Sequence, residues 1–116
     1  MKAIVRAWSA NLNAGDNAAE ARLFALPATM VQGAYVFRLV NPKQIAQWHA
    51  ALPCSGTVVS IVVRGRFATA VFRLGNRKTS KCDAPPGTLA AARFTIVAGK
   101  ITVWEQVPPP SQGPAA

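Results

Sequence analysis

Apolar residues recur with two different periods along this chain, and the change from one to the other divides it. Ile4, Trp8 and Leu12 stand four apart with Val5 beside them. That spacing puts them on one stripe of a helix and predicts an amphipathic helix over residues 3–13, with Gly15 as its stop. Asn17-Ala18-Ala19-Glu20 has the spacing of a capping box, so a second helix is predicted from there to about Ala25, closed by Pro27. Ala28–Gln32 and Tyr35–Val40 are rich in strand formers around Gly33 and read as a short hairpin. Asn41-Pro42-Lys43-Gln44 then announces a third helix. Asparagine caps it, proline takes the first turn, and Gln44 reaches back to the cap. Ile45, Trp48, His49 and Leu52 line one side, and Pro53 ends it.

Beyond Pro53 the period shortens to two. Thr57–Arg64 and Phe67–Leu74 flank Gly65-Arg66, and Thr88–Val97 and Lys100–Val107 flank Ala98-Gly99. Each pair reads as an antiparallel hairpin closed by a two-residue turn. The expectation is one α+β domain over 1–107, with no internal repeat. Residues 108–116, four prolines among them, are expected to form a loose, disordered tail. Counting outward from the first turn pairs Thr57 with Leu74. Cys54 and Cys82 then fall at the same end of that ribbon, within reach of a disulfide unless loop 75–86 keeps them apart.

Composition narrows the chemistry. The chain has 116 residues, 51% of them hydrophobic, enough for a core without staples. No apolar run approaches the ~20 residues that span a bilayer, and Met1–Arg6 does not resemble a secretory leader, so a cytoplasmic location is expected. Against 13 Lys+Arg stand 4 Asp+Glu, a net charge of +9. The bases are dispersed apart from Arg64/Arg66 and the run from Arg73 to Lys81, so nucleic acid is not the expected partner. One histidine and two cysteines do not make a metal site, and neither metal nor cofactor is expected.

Asn13-Ala14-Gly15-Asp16, Leu23-Phe24-Ala25 and Ala98-Gly99-Lys100-Ile101-Thr102-Val103-Trp104, in this order of elements, resemble the nuclear-transport-factor-2-like superfamily over residues 3–107. SnoaL-like proteins, ketosteroid isomerases and limonene-1,2-epoxide hydrolases belong to it. The resemblance implies a cystatin-like cone, an α+β barrel of three N-terminal helices on a curved, mixed but mainly antiparallel six-stranded sheet. It implies activity only where functional positions match. An isomerase needs a tyrosine, a carboxylate base and a second acid; those positions match Trp8, Gln32 and Ala91 or Ala92. The acid-Arg-acid set of the epoxide hydrolases matches Val71, Arg73 and Gln106. No catalytic residue is assigned.

If the matched positions keep their facing, the cone is lined by Trp8, Leu12, Met30, Gln32, Val71, Arg73, Trp104 and Gln106. The uninterrupted register of the last hairpin pairs Arg93 with Trp104 and brings it to that lining. The ligand-binding set read from this is Trp8, Met30, Gln32, Arg73, Arg93, Trp104 and Gln106. It suits a small hydrophobic or aromatic molecule bearing a carboxylate or other acceptor. Two alternatives stand beside that reading. One is a SnoaL-like isomerase, cyclase or hydrolase that polarises its substrate through Arg93, Gln106 or Trp8. The other is a basic interaction protein with a filled cone. Trp8 and Trp48 also suit a core, and His49 suits a packed position. Val59, Ile61, Val63, Phe72, Phe94, Ile96, Ile101 and Val103 are assigned to the other sheet face, whose apolar area leads to the expectation of a homodimer.

Overall fold

A computed structural model describes residues 1–110. Nine elements run in the order α1 (Lys2–Ala14), α2 (Asn17–Arg22), β1 (Phe24–Gln32), β2 (Tyr35–Leu39), α3 (Pro42–Ala50), β3 (Cys54–Arg64), β4 (Phe67–Asn76), β5 (Leu89–Val97) and β6 (Lys100–Val107). The strands make one mixed six-stranded sheet in the order β2-β1-β6-β5-β4-β3. Only β1 and β6 pair in parallel; every other neighbouring pair is antiparallel. The expected α+β class and sheet are therefore present. No helix among the described residues is long and apolar enough to cross a membrane. The expected tail over 108–116 falls, beyond Pro110, outside the described residues.

Local chemistry explains most boundaries. Gly15 ends α1 in the left-handed conformation (φ 74°), and its N–H donates to the Leu12 carbonyl. Asn41 caps α3 by accepting from the Gln44 N–H at 2.9 Å, while Gln44 Oε1 accepts from the Val40 N–H at 2.8 Å. The second helix departs from expectation. Asp16, not Asn17, is its cap, accepting from the Ala19 N–H at 3.0 Å, and the helix stops at Arg22. Moving the cap back one residue takes Glu20 out of the capping box and turns it inward, where it is fully buried. Pro27 lies inside β1, which begins at Phe24. It causes no break, because the pairing with β6 skips from Phe24↔Ile101 to Thr29↔Val103 and asks no N–H of the interval between.

Two bulges decide which side chains face the helices. In β3 the turn-set register holds from Arg64↔Phe67 to Ser60↔Val71 and resumes at Val58↔Phe72, leaving Val59 unpaired. In β6 it holds at Val97↔Lys100 and Ile96↔Ile101 and resumes at Thr95↔Val103, leaving Thr102 unpaired. Each extra residue advances the partner by one and reverses the facing of everything beyond it. Thr57 thus pairs with Arg73 rather than Leu74. Arg93 pairs with Glu105 rather than Trp104.

The helix-covered face holds the core: Ala68, Ala70 and Phe72 of β4, Ala92, Phe94 and Ile96 of β5, Ile101 and Trp104 of β6, against Val5, Trp8 and Leu12 of α1. This corrects the assignment of Phe72, Phe94, Ile96 and Ile101 to the outer face. Ile61 also packs against the core. The open face carries Phe67, Val62, Val36 and Val103 among threonines and arginines. It is less apolar than the sequence count made it.

Two polar clamps fix the helices to the sheet. At Gly56 of β3 a side chain would meet the Phe72 Cβ at 3.1 Å, so glycine leaves room for the Phe72 ring. Ser9 Oγ and Asn13 Nδ2 donate to the Gly56 carbonyl at 2.6 and 3.0 Å, and the Gly56 N–H donates to Asn13 Oδ1 at 2.9 Å. The second clamp is Arg77, buried although it belongs to the basic run. Its Nη1 donates to the carbonyls of His49 (2.6 Å) and Leu52 (2.7 Å) at the end of α3, where unpaired carbonyls and the helix dipole favour a cation. Arg77→Lys keeps the charge but loses the planar fork. It is expected to cost about 2 kcal/mol of unfolding free energy in urea titrations, close to the worth of one hydrogen bond to a charged group.

Candidate functional site

Where α1 meets the sheet, the core does not close. Trp8 and Leu12 of α1, the β3 start at Cys54, Ser55 and Gly56, Phe72 and Leu74 of β4, Ala90, Ala91 and Ala92 of β5, and Trp104 and Gln106 of β6 surround a cavity of about 220 Å³. Gln32, Leu52, Pro53 and Asp83 complete its wall. The void exists because β5 offers alanines at 90 and 92, on its helix-covered face, where larger side chains would fill it.

Of the residues read as ligand-binding from the sequence, Trp8, Gln32, Trp104 and Gln106 line this cavity. Met30 does not; it is wholly buried in the core. Arg73 is exposed, its Nη1 donating to the Gly87 carbonyl at 3.4 Å. Arg93 lies on the open face, 2.7 Å from Glu105 Oε1 and stacked over Phe67 with its guanidinium carbon 5.0 Å from the ring centre. The bulge at Thr102 put it there. The cavity thus loses both arginines. It gains Phe72, the alanines, Cys54 and Asp83, which an uninterrupted register does not reveal.

The indoles are held in an aromatic cluster. Trp8 and Trp104 have ring centres 6.1 Å apart, and Trp48 packs edge-on to Trp104 at 4.9 Å. Trp104 Nε1 is buried and finds no acceptor among the described residues. Cys54 and Cys82 form a disulfide that joins the start of β3 to the loop after β4. Asp83 comes with it, so that its carboxylate and the two sulfurs lie within 4.8 Å of one another. The sulfurs are spent on each other.

No family model matches the chain, and no curated protein matches it by sequence. Solved structures do. A candidate polyketide cyclase from Sinorhizobium meliloti superposes with a TM-score of 0.74 at 19% identity, over 90% of this chain and 93% of that one. A protein with a ketosteroid isomerase-like fold from Catenulispora acidiphila, solved with trimethylamine, gives 0.70 at 23% identity, over 90% and 83%. A nuclear-transport-factor-2-like protein of unknown function from Cytophaga hutchinsonii gives 0.71 at 12% identity, over 90% and 85%. The fold is nuclear-transport-factor-2-like.

Within this nuclear-transport-factor-2-like cone, none of the positions matched to an isomerase's acids or to the epoxide hydrolases' acids carries a carboxylate. They hold Gln32, Ala91, Ala92, Val71 and Gln106. The buried acid lies elsewhere, as Glu20 of α2 behind Trp8. His49 Nε2 accepts from the Trp8 indole N–H at 2.9 Å, and its Nδ1 lies 2.8 Å from the Ile45 carbonyl. An Nε2 that accepts cannot carry a proton, so the hydrogen sits on Nδ1 and donates to Ile45. Burial lowers His49 from its ordinary 6.5 to about 4, with Arg77 adding to the effect and the Ile45 bond opposing it. Glu20 Oε2 stands 3.9 Å from the same Nε2. Burial pushes this carboxyl from 4.5 up to about 9, against the opposing pull of the Asn11 side chain and Arg77. Neither of its oxygens has a partner in good hydrogen-bond geometry among the described residues. Both groups are therefore neutral near pH 7, and neither is on the cavity wall; His49 holds the Trp8 indole in place, and Glu20 stands beside His49.

Proposed function

We propose that the protein binds a small apolar or aromatic molecule in the cavity between α1 and the sheet. One observation carries this reading: a void of about 220 Å³ stays open between α1 and the sheet, walled by the rings of Trp8, Phe72 and Trp104. The side-chain amides of Gln32 and Gln106 add donors and acceptors at the same wall. A structural neighbour with a ketosteroid isomerase-like fold was solved in complex with trimethylamine, which supports uptake of a small guest by a protein of this fold. An anionic ligand loses its support, since Arg73 and Arg93 stand outside the cavity. Polarisation by Arg93 goes with it, and the Trp8 N–H is spent on His49, which leaves Gln106 for an enzymatic reading.

Native mass spectrometry of the purified protein, followed by a thermal-shift panel of small neutral, acidic and basic molecules, tests the reading. Ala90→Leu, at a partly buried position on the wall, is expected to weaken any ligand found by at least roughly ten-fold, because its added carbons occupy the guest's volume. Unchanged affinity in that variant would move the site elsewhere.

A homodimer through the open face is part of the same proposal, although that face carries fewer apolar groups than the sequence suggested. Light scattering that returns the 12.3 kDa monomer mass at micromolar concentration would dismiss it. For the compartment, the Cys54–Cys82 bridge weighs against the cytoplasmic expectation, since glutathione keeps such thiols reduced there.

A further inference from the structure

We propose that this cavity selects a small organic cation, a tertiary or quaternary ammonium group on a short chain that also carries a hydroxyl or carbonyl oxygen. The proposal rests on the small-molecule-binding reading above and names the class of its ligand. Its first support is a distribution of charge. The chain carries 13 Lys+Arg and 4 Asp+Glu, yet among the described residues the only ionisable side chain on the cavity wall, cystine sulfurs aside, is the acid Asp83. An anion entering here would leave water for a wall without a base and with a carboxylate at its rim.

The second support is the wall itself. Trp8, Phe72 and Trp104 are its aromatic members, with ring centres 5.5 Å apart for Trp8–Phe72 and 6.1 Å for Trp8–Trp104. Indole and phenyl rings attract cations through their electron-rich faces, and most strongly where water is excluded. An alkylated ammonium suits such a wall better than a primary one. It has few or no N–H groups to leave unpaired, and its methyl groups bury apolar surface. Asp83 is exposed, so its attraction is modest and serves mainly to orient the charge toward the rim. The oxygen on the ligand answers the side-chain amides of Gln32 and Gln106 on the same wall. The protein's +9 charge opposes the approach of a cation only at long range, and physiological salt screens it over about 8 Å. Contacts inside the cavity then decide how long the guest stays.

The test compares choline with its neutral carbon isostere, in which a tert-butyl group replaces trimethylammonium while the hydroxyl remains. Isothermal titration at physiological salt, with intrinsic tryptophan fluorescence as a second readout, measures both. Choline is expected to bind roughly ten-fold more tightly than the isostere, the margin of a partly desolvated cation on aromatic faces. Asp83→Asn, an exposed substitution that leaves the fold alone, is expected to weaken choline about three-fold and the isostere not at all. Equal or tighter binding of the isostere overturns the cation class and leaves the small-molecule reading standing. So does a panel in which only neutral or acidic molecules bind. A panel in which nothing binds overturns both.

Discussion

Relative to the unaltered protein, Glu20→Gln is expected to gain roughly 4 kcal/mol of stability between about pH 5 and about pH 8, at 1.36 kcal/mol per pH unit. In the unfolded chain Glu20 ionises near 4.5, whereas in the fold it holds its proton to about 9. Between these values the unfolded state alone releases a proton. The stabilisation is therefore complete below 4.5 and drains away as pH rises toward 9. His49 works in the opposite sense. Its folded value of about 4 lies below the ordinary 6.5, so the unfolded state protonates first and stability falls as pH drops through that interval. From about 4.5 to 6.5 the two slopes cancel. These two groups together give a plateau there and a decline on the alkaline side. Urea titrations of both proteins across this range decide the matter. Parallel curves would mean that Glu20 is ionised in the fold or reaches water.

Opening the Cys54–Cys82 bridge is the second large effect. The cysteines are 28 residues apart in sequence. Releasing a loop of that size returns about 3.6 kcal/mol of chain entropy to the unfolded state. The midpoint of thermal unfolding should drop by about 15 °C in a domain of this length. The folded loop keeps other anchors: Ser80 Oγ donates to the Pro53 carbonyl (3.0 Å), the Arg77 N–H to the Ser80 carbonyl (2.9 Å), and the Cys82 N–H to Asn76 Oδ1 (2.9 Å). The loss should therefore appear in stability while the far-ultraviolet circular dichroism stays unchanged. A Cys54→Ala/Cys82→Ala double variant should match the reduced protein. An identical midpoint with and without reductant would contradict the entropic account.

The elements were legible wherever a signal was local. Gly15 and the Asn41–Gln44 box sit at helix ends whose backbone chemistry they satisfy alone, and the two-residue turns set their hairpins at the near end. Facing was not legible. Val59 and Thr102 are ordinary strand formers, and nothing in their neighbours announces that each lacks a partner. One unpaired residue sufficed to move Arg93 from the cavity to the open face and Phe94 from the open face to the core. Trp8, Gln32, Trp104 and Gln106 reached the cavity wall as read because a family resemblance, not a count from the turn, had placed them. Glu20 escaped notice for a similar reason. One residue's difference in the cap separates a helix-end carboxylate from a buried acid.

The unpaired Thr102 also bears on how such a cavity changes its taste. Drawing that residue into the ladder, with the length of the strand unchanged, would restore the turn-set count and put Arg93 opposite Trp104, so that one of the two must change sides of the sheet. A lineage could in this way exchange an uncharged interior for a cationic one without altering any side chain that touches the guest. Among relatives as distant as those matched here, the position of a strand's odd residue would then say more about ligand polarity than the identity of the residues it displaces.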